Sequence, residues 1–352
     1  MRGNKYNLIL SSMYGIVHAL VDCACAISIF SGIRACYSVR EFAFWVVMYN
    51  IIAFVLQPII GIYADKYGKY RLLTAAGCML VIIGSCITFT GWISIVIFAF
   101  GNALFHIAAG AICLTMDKRR TAFAGIFVAP GDIGLAVGTL IGTNHVITPT
   151  ILFYLSISFL GLIILINIIE NKSKRLSKPE FVNNTELNGK FIRLAIMFLC
   201  VVITIRAFIG SAIGFSWVNN ACLTIALSIF ISAGKAAGGL FADKIGRKFI
   251  GVAALLTSAP LLAFFHNNVF ISLAGIFLFN MTMPLTMTAI FDKMPEYPAF
   301  SFGVSAMALI PGFYLGSAIQ IKRIELFSVI ILAAVVLYYA LVLSERGGLK
   351  DE

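Results

Sequence analysis

The chain has 352 residues, of which 61% are hydrophobic and only 12% charged, with a mean hydropathy of +0.99 and a formal net charge of +11. Soluble domains carry about 25% charged residues, so this composition excludes a water-facing fold and makes the lipid bilayer the natural solvent. The sequence shows no Walker loop, no metal-ligand spacing, no nucleophile elbow and no soluble domain to hydrolyse a nucleotide, which argues against an enzyme.

A helix needs about 20 apolar residues to cross the hydrocarbon core. Twelve such stretches follow one another: 8–31, 42–64, 72–90, 92–115, 122–142, 150–170, 193–215, 221–242, 249–266, 269–291, 299–320 and 326–344. Most lack period-2 alternation and exceed the length of barrel strands, so they read as helices. The expected fold class is an all-α membrane protein with twelve transmembrane helices. The first stretch is too long for a signal-peptide core and no Ala-x-Ala cleavage pattern follows it, so it reads as retained.

An ionisable group at mid-membrane costs about 2.5–3.5 kcal/mol on insertion scales, and such groups line cavities or pair with one another. In the first stretch His18 and Asp22 are four residues apart and share a helix face; an acid and an imidazole there read as proton carrier and relay. Cys23 and Cys25 beside Asp22 read as small packing residues rather than metal ligands. In the second stretch Asn50 and Gln57 lie on one face, with Pro58 expected to kink the helix. The fourth holds His106, a substrate contact or a packing histidine. The fifth holds Asp132 after Pro130-Gly131: a coupling acid, a partner for freed backbone N–H groups, or a partner for Lys235. The seventh holds Arg206, with nothing acidic close in sequence; its planar fork suits a carboxylate or phosphate. Lys235 is in the eighth. Arg206 and Lys235 each read as a substrate contact or as the partner of an acid.

One segment occurs twice. "GIYADKYGKYR", Gly61–Arg71, is echoed by "GLFADKIGRK", Gly239–Lys248, an offset of 178 from position 61 to 239. Likewise "APGDIGLAVG" in the fifth stretch is echoed by "IPGFYLGSA" in the eleventh, with Pro130 and Pro311 offset by 181. Both offsets are about half the chain. The organisation expected is an N-terminal six-helix bundle (1–170), a polar cytoplasmic linker (171–192) and a C-terminal six-helix bundle (193–352). Lys235 and Gln57 then correspond, each eight residues before a motif aspartate. If the helices alternate in direction, 20 of the 26 Lys/Arg fall in the loops of one side, four on the other and two inside helices. This is a positive-inside asymmetry. It places both termini in the cytoplasm of a multi-pass protein of the plasma (inner) membrane, and it explains the +11 without nucleic acid.

The duplicated motif reads G-x-x-x-D-[RK]-x-G-[RK]-[RK]: Gly61, Asp65, Lys66, Gly68 and Lys69, then Gly239, Asp243, Lys244, Gly246, Arg247 and Lys248, with Tyr70 in place of one basic residue of the first copy. On these residues the chain resembles the major facilitator superfamily over nearly its whole length. The resemblance implies two six-helix bundles that rock about a midplane site. It also implies that Gly61, Asp65, Gly68, Lys69, Gly239, Asp243, Gly246 and Arg247 form a cytoplasmic gate; the plainer reading is helix capping and positive-inside charge. More narrowly, "GNALFHIAAGA" (Gly101–Ala111) looks like the fourth helix of fosmidomycin-resistance-like exporters, with Ile107 in place of a proline. "GIFVAPGDIG" (Gly125–Gly134) looks like the Gly-Pro-rich fifth helix of antiporters. The fourth-helix arginine usual in drug–proton antiporters is absent, with Ile97 near its place, which weighs against proton-coupled drug export.

The function expected is secondary active transport of a small anionic or zwitterionic solute. Arg206, Lys235, Gln57, Asn50 and His106 would contact substrate, and Asp22, His18 and Asp132 would couple transport to a proton gradient. The expected partners are a small-molecule substrate, an ion gradient and the bilayer, with no cofactor, no metal and no nucleic acid, and with the monomer as working unit. Two rivals are a drug or amphiphile efflux pump and a non-transporting membrane sensor.

Overall fold

A computed structural model describes residues 2–117, 120–144, 149–172 and 189–346. Most of the expected linker, 173–188, lies outside the described residues. Among the described residues all regular structure is helical. The helices are α1 (Arg2–Ile27), α2 (Val39–Tyr67), α3 (Tyr70–Cys86), α4 (Trp92–Thr115), α5 (Ala122–Thr143), α6 (Pro149–Lys172), α7 (Gly189–Ala212), α8 (Ala221–Ile245), α9 (Arg247–Phe264), α10 (Val269–Lys293), α11 (Pro298–Ala318) and α12 (Arg323–Arg346). Ten are long and apolar enough to cross a membrane; α3 and the apolar part of α6, Tyr154–Ile169, are shorter.

The boundaries follow from local chemistry. Ser38 starts α2 with a capping box: its N–H donates to Glu41 Oε2 at 3.0 Å while its hydroxyl faces the Glu41 N–H. Asn220 and Asn268 cap α8 and α10 by accepting the N–H of Leu223 and Ile271. Gly68 ends α2 at φ +64°, a left-handed backbone that a side chain would strain.

Four helices are not uniform. A π-helical turn at Ser28–Ile33 follows α1, and a second at Ile51–Val55 interrupts α2 just before Gln57 and Pro58. Pro58 has no N–H to give to the preceding turn, and the wide turn absorbs that mismatch. The turns of α10 and α11 break at Met281 and Ala308.

Close helix pairs are built on glycine. Gly134, Gly138 and Gly142 on α5 face the α1 backbone and side chains around Ala19, Cys23 and Phe30, leaving no room for a Cβ. Gly312 and Gly316 do the same for α11 on α7 at Thr204 and Phe208. Two large apolar clusters result. One gathers α1–α6 with Met287, Phe291 and Phe302; the other gathers residues of α7 and α9–α12.

Two seams join the halves of the sequence, α2 to α11 and α5 to α8. Gly303 packs on the backbone of Gln57 and Pro58, and Gly125 on the carbonyl of Lys235. These pairs are interchanged by the offset of 178. The offset is 181 at Pro130 and Pro311, and the extra residues fall where α11 breaks.

Candidate functional site

The duplicated aspartates each cap a helix from the other half. Asp65, near the end of α2, accepts the N–H of Ala299 and of Phe300, both at 2.9 Å, at the start of α11. Asp243, near the end of α8, accepts the N–H of Thr121 at 2.6 Å and of Ala122 at 3.2 Å, at the start of α5. Thr121 and Ala122 lie 178 residues before Ala299 and Phe300, so the repeat extends to the partners as well as to the carboxylates. A carboxylate at a helix N-terminus satisfies orphan donors and meets the positive end of the dipole. Gly61 and Gly239 allow this approach: a Cβ on Gly61 would strike the Ala299 backbone at 2.8 Å, and one on Gly239 the Thr121 and Ala122 backbone at 2.9 Å.

The two clamps differ in their further partners. The Tyr70 hydroxyl donates to Asp65 Oδ1 at 2.8 Å, so the residue that departs from the motif closes the first clamp. In the second, Arg247 donates to the Thr121 hydroxyl at 2.7 Å and pairs with Asp292 of α10. Lys69 is exposed. Gly246 turns the chain at φ +107°.

Deeper along the second seam, Lys235 Nζ lies 2.5 Å from Asp132 Oδ2, an ion pair between α8 and α5 without the alignment of a hydrogen bond. This is one of the pairings open from the sequence. Ser232, one turn from Lys235, donates to the Ala129 carbonyl. Arg206 on α7 is 6% exposed. Its guanidinium carbon stands 5.4 Å from the centroid of the Phe279 ring, and its Nε has no hydrogen-bond partner among the described residues. On the first seam Asn50 Nδ2 donates to the Tyr314 hydroxyl at 2.9 Å, while Gln57 is fully buried and donates to the Ala53 carbonyl. The Gln57 carbonyl oxygen has no partner among the described residues.

The third polar group joins α1 to α4. His18 Nε2 lies 3.1 Å from Asp22 Oδ2, His106 Nε2 lies 3.6 Å from Asp22 Oδ1, and the two Nε2 atoms are 2.9 Å apart. The structure therefore brings His106 together with His18 and Asp22. Sequence spacing could not display this, because His106 arrives from another helix. The partners Thr121, Ala122, Ala299 and Phe300 carry no mark in the sequence as capping sites; the 178 offset between them is the signal that they come as matched pairs.

The family model of the Major Facilitator Superfamily matches residues 8–319. The chain belongs to the major facilitator superfamily. Among solved structures of that superfamily it is similar to the transporter FucP in the outward conformation, with a TM-score of 0.67 and 12% identity over 98% of this chain and 99% of that one. A variant of the fucose:proton symporter FucP from E. coli gives a TM-score of 0.63 at 11% identity, over 98% and 100% of the two chains. Identities this low show the fold alone. Among curated proteins, the fosmidomycin resistance protein of Escherichia coli (strain K12) is 23% identical over 238 residues, 60% of this chain and 58% of that protein. The chain thus aligns with a little over half the length of that relative. Major facilitator proteins are multi-pass membrane transporters, not enzymes, and this chain has their family signature and fold.

Proposed function

We propose that this major facilitator protein crosses the inner membrane twelve times, with cytoplasmic termini, as two six-helix bundles. We propose that it carries a small anionic or zwitterionic solute together with a proton. The observation that carries the solute class is Arg206: a guanidinium buried in the C-terminal half, standing over the Phe279 ring, with an Nε that has no hydrogen-bond partner among the described residues. A charge in that setting gains most from an incoming carboxylate or phosphate, which its fork can bind at two oxygens.

Coupling follows from Asp132 and Lys235. While Asp132 is ionised it holds Lys235, and the pair ties α5 to α8. A proton on Asp132 removes that attraction and frees the ammonium to join Arg206 in binding the anion. The α5–α8 tie is then loosened, which favours opening of the seam. Asn50 and Gln57 lie deeper on the other seam, and one aspartate clamp closes the cytoplasmic end of each seam, Asp65 on α2–α11 and Asp243 on α5–α8. The monomer contains both seams and is the working unit.

The test is proton flux in proteoliposomes under an imposed pH gradient. Organic anions should dissipate the gradient, with Arg206→Ala abolishing the effect. Dissipation by anions that persists in Arg206→Ala would reject Arg206 as the anchor. A second reading, export of drugs or amphiphiles, is favoured by the fourth-helix likeness and by the relative named for fosmidomycin resistance. It requires that lipophilic cations, rather than anions, dissipate the gradient.

A further inference from the structure

We infer that His18, Asp22 and His106 form a binding site for a divalent first-row transition-metal ion, set between α1 and α4. Both imidazoles are fixed in the same way. His18 Nδ1–H donates to the Phe127 carbonyl at 3.0 Å, and His106 Nδ1–H donates to the Asn102 carbonyl at 2.9 Å. A carbonyl only accepts, so Nδ1 carries hydrogen in each ring and Nε2 is left as a bare lone pair in the neutral ring. Those two lone pairs converge at 2.9 Å, and a carboxylate converges on them from one side. Two imidazole nitrogens and a carboxylate gathered this closely call for a cation.

The dimensions suit a metal. One ligand atom from each of the three residues lies within 4.8 Å of the others. Bonds of about 2.0–2.2 Å put neighbouring ligand atoms about 2.9 Å apart in an octahedron and about 3.4 Å apart in a tetrahedron. The two nitrogens are 2.9 Å apart, His18 Nε2 lies 3.1 Å from Asp22 Oδ2, and His106 Nε2 lies 3.6 Å from the other carboxylate oxygen, Oδ1, separations close to those two values. Two imidazoles and one carboxylate select ions such as Zn2+, Fe2+ and Co2+ over Ca2+ or Mg2+, which prefer oxygen. A shared proton could serve two of the acceptors at a time; a metal ion serves all three.

The surroundings are those of a supported metal site. Backbone carbonyls hold the far nitrogens, the arrangement that fixes tautomer and ring orientation in metal proteins. Asn102 contributes twice, its carbonyl to His106 and its Nδ2 to Asp22 Oδ1 at 3.4 Å. Phe127 stacks on the His18 ring with centroids 5.0 Å apart, and Phe105 lies edge-on to His106 at 5.5 Å. Gly131 lets α5 lie against the cluster: a Cβ there would stand 2.5 Å from His18 Nε2 and 2.9 Å from Asp22 Oδ2. The sequence marks Asp22 and His18 as proton carrier and relay; with His106 added, the geometry assigns the set to a metal.

The test uses the full chain in detergent, stripped with a chelator and freed of any affinity tag. Co2+ is titrated in and followed by its visible absorption, and Zn2+ is then added as competitor. The native chain should bind one ion per molecule with the spectrum of nitrogen and oxygen ligation, and Zn2+ should displace it. His106→Gln and Asp22→Asn should each lower affinity at least about 100-fold, and Asn102→Ala about 10- to 100-fold, as expected for an outer-shell partner. Absence of Co2+ binding to the native chain overturns the proposal and leaves the cluster to a proton. Binding that survives His106→Gln in a chain of native thermal stability overturns it as well. The native titration needs no variant, so it decides even if the substitutions unfold the protein.

Discussion

At the scale of single residues, the hydrogen bonds of Asp65 and Asp243 make separable predictions. Each carboxylate accepts two backbone N–H groups, and a hydrogen bond to a charged group contributes about 1.5–3 kcal/mol. Asp65→Asn should speed hydrogen exchange at the amides of Ala299 and Phe300 about 10- to 100-fold and leave those of Thr121 and Ala122 near native rates. Asp243→Asn should do the reverse. Equal acceleration at both sites in either variant would mean that the clamps open only together. Lys235 and Asp132 allow a second test. Breaking a fully buried pair by removing one partner costs about 3–5 kcal/mol because the other charge is stranded; Lys235 and Asp132 are part-buried, so the cost here is smaller. Lys235→Ala and Asp132→Asn should each lower the melting temperature in detergent, and the double variant should lose less than the two singles together. Additive losses would show that the two charges do not hold each other.

At the scale of elements, contact between helices rests on glycine. Gly134 of α5 touches the Ala19 backbone of α1, where a methyl group has no space, whereas nothing lies within 4 Å of a Cβ added at Gly161 in α6. Gly134→Ala should destabilise by about 1–3 kcal/mol through overpacking, and Gly161→Ala should stay within about 0.5 kcal/mol of native, both read by thermal melting. Matching losses would contradict the packing described. Much of this level is legible in the sequence. Apolar runs mark where the helices lie, and the doubled Gly-x-x-x-Asp marks the ends of α2 and α8, since hydropathy and motif spacing report directly on burial and repeat. The π-helical turns at Ser28–Ile33 and Ile51–Val55 and the breaks at Met281 and Ala308 were not legible. They change hydrogen-bond register within a helix while the sequence stays apolar throughout. The site divides the same way. His18 and Asp22 share a helix face and can be paired from spacing, but His106 reaches them across helices, a contact that spacing along one helix does not report.

At the scale of the whole molecule, the two seams give the transport proposal its mechanical form. Asp65 on α2 holds the start of α11, and Asp243 on α8 holds the start of α5, so each half grips the other through an equivalent contact. The glycine pairs Gly61 with Ala299 and Gly239 with Thr121 bring the backbones together at the same level. In the proposed transport cycle, opening on the side that carries the two motifs therefore requires both clamps to release. With both carboxylates neutralised, closure should lose about 1.5 kcal/mol or more per clamp, enough to move the equilibrium between the two arrangements by more than tenfold.

The most direct measurement is the distance between spin labels at Tyr67, the exposed end of α2, and Tyr297, exposed just before α11, in a background with the eight native cysteines replaced. The native motif should give mainly one short distance, and Asp65→Asn combined with Asp243→Asn should add a longer one that grows at the expense of the first. A single unchanged distance in the doubly neutralised chain, with fold and stability intact, would contradict the claim that these two aspartates hold the cytoplasmic side closed.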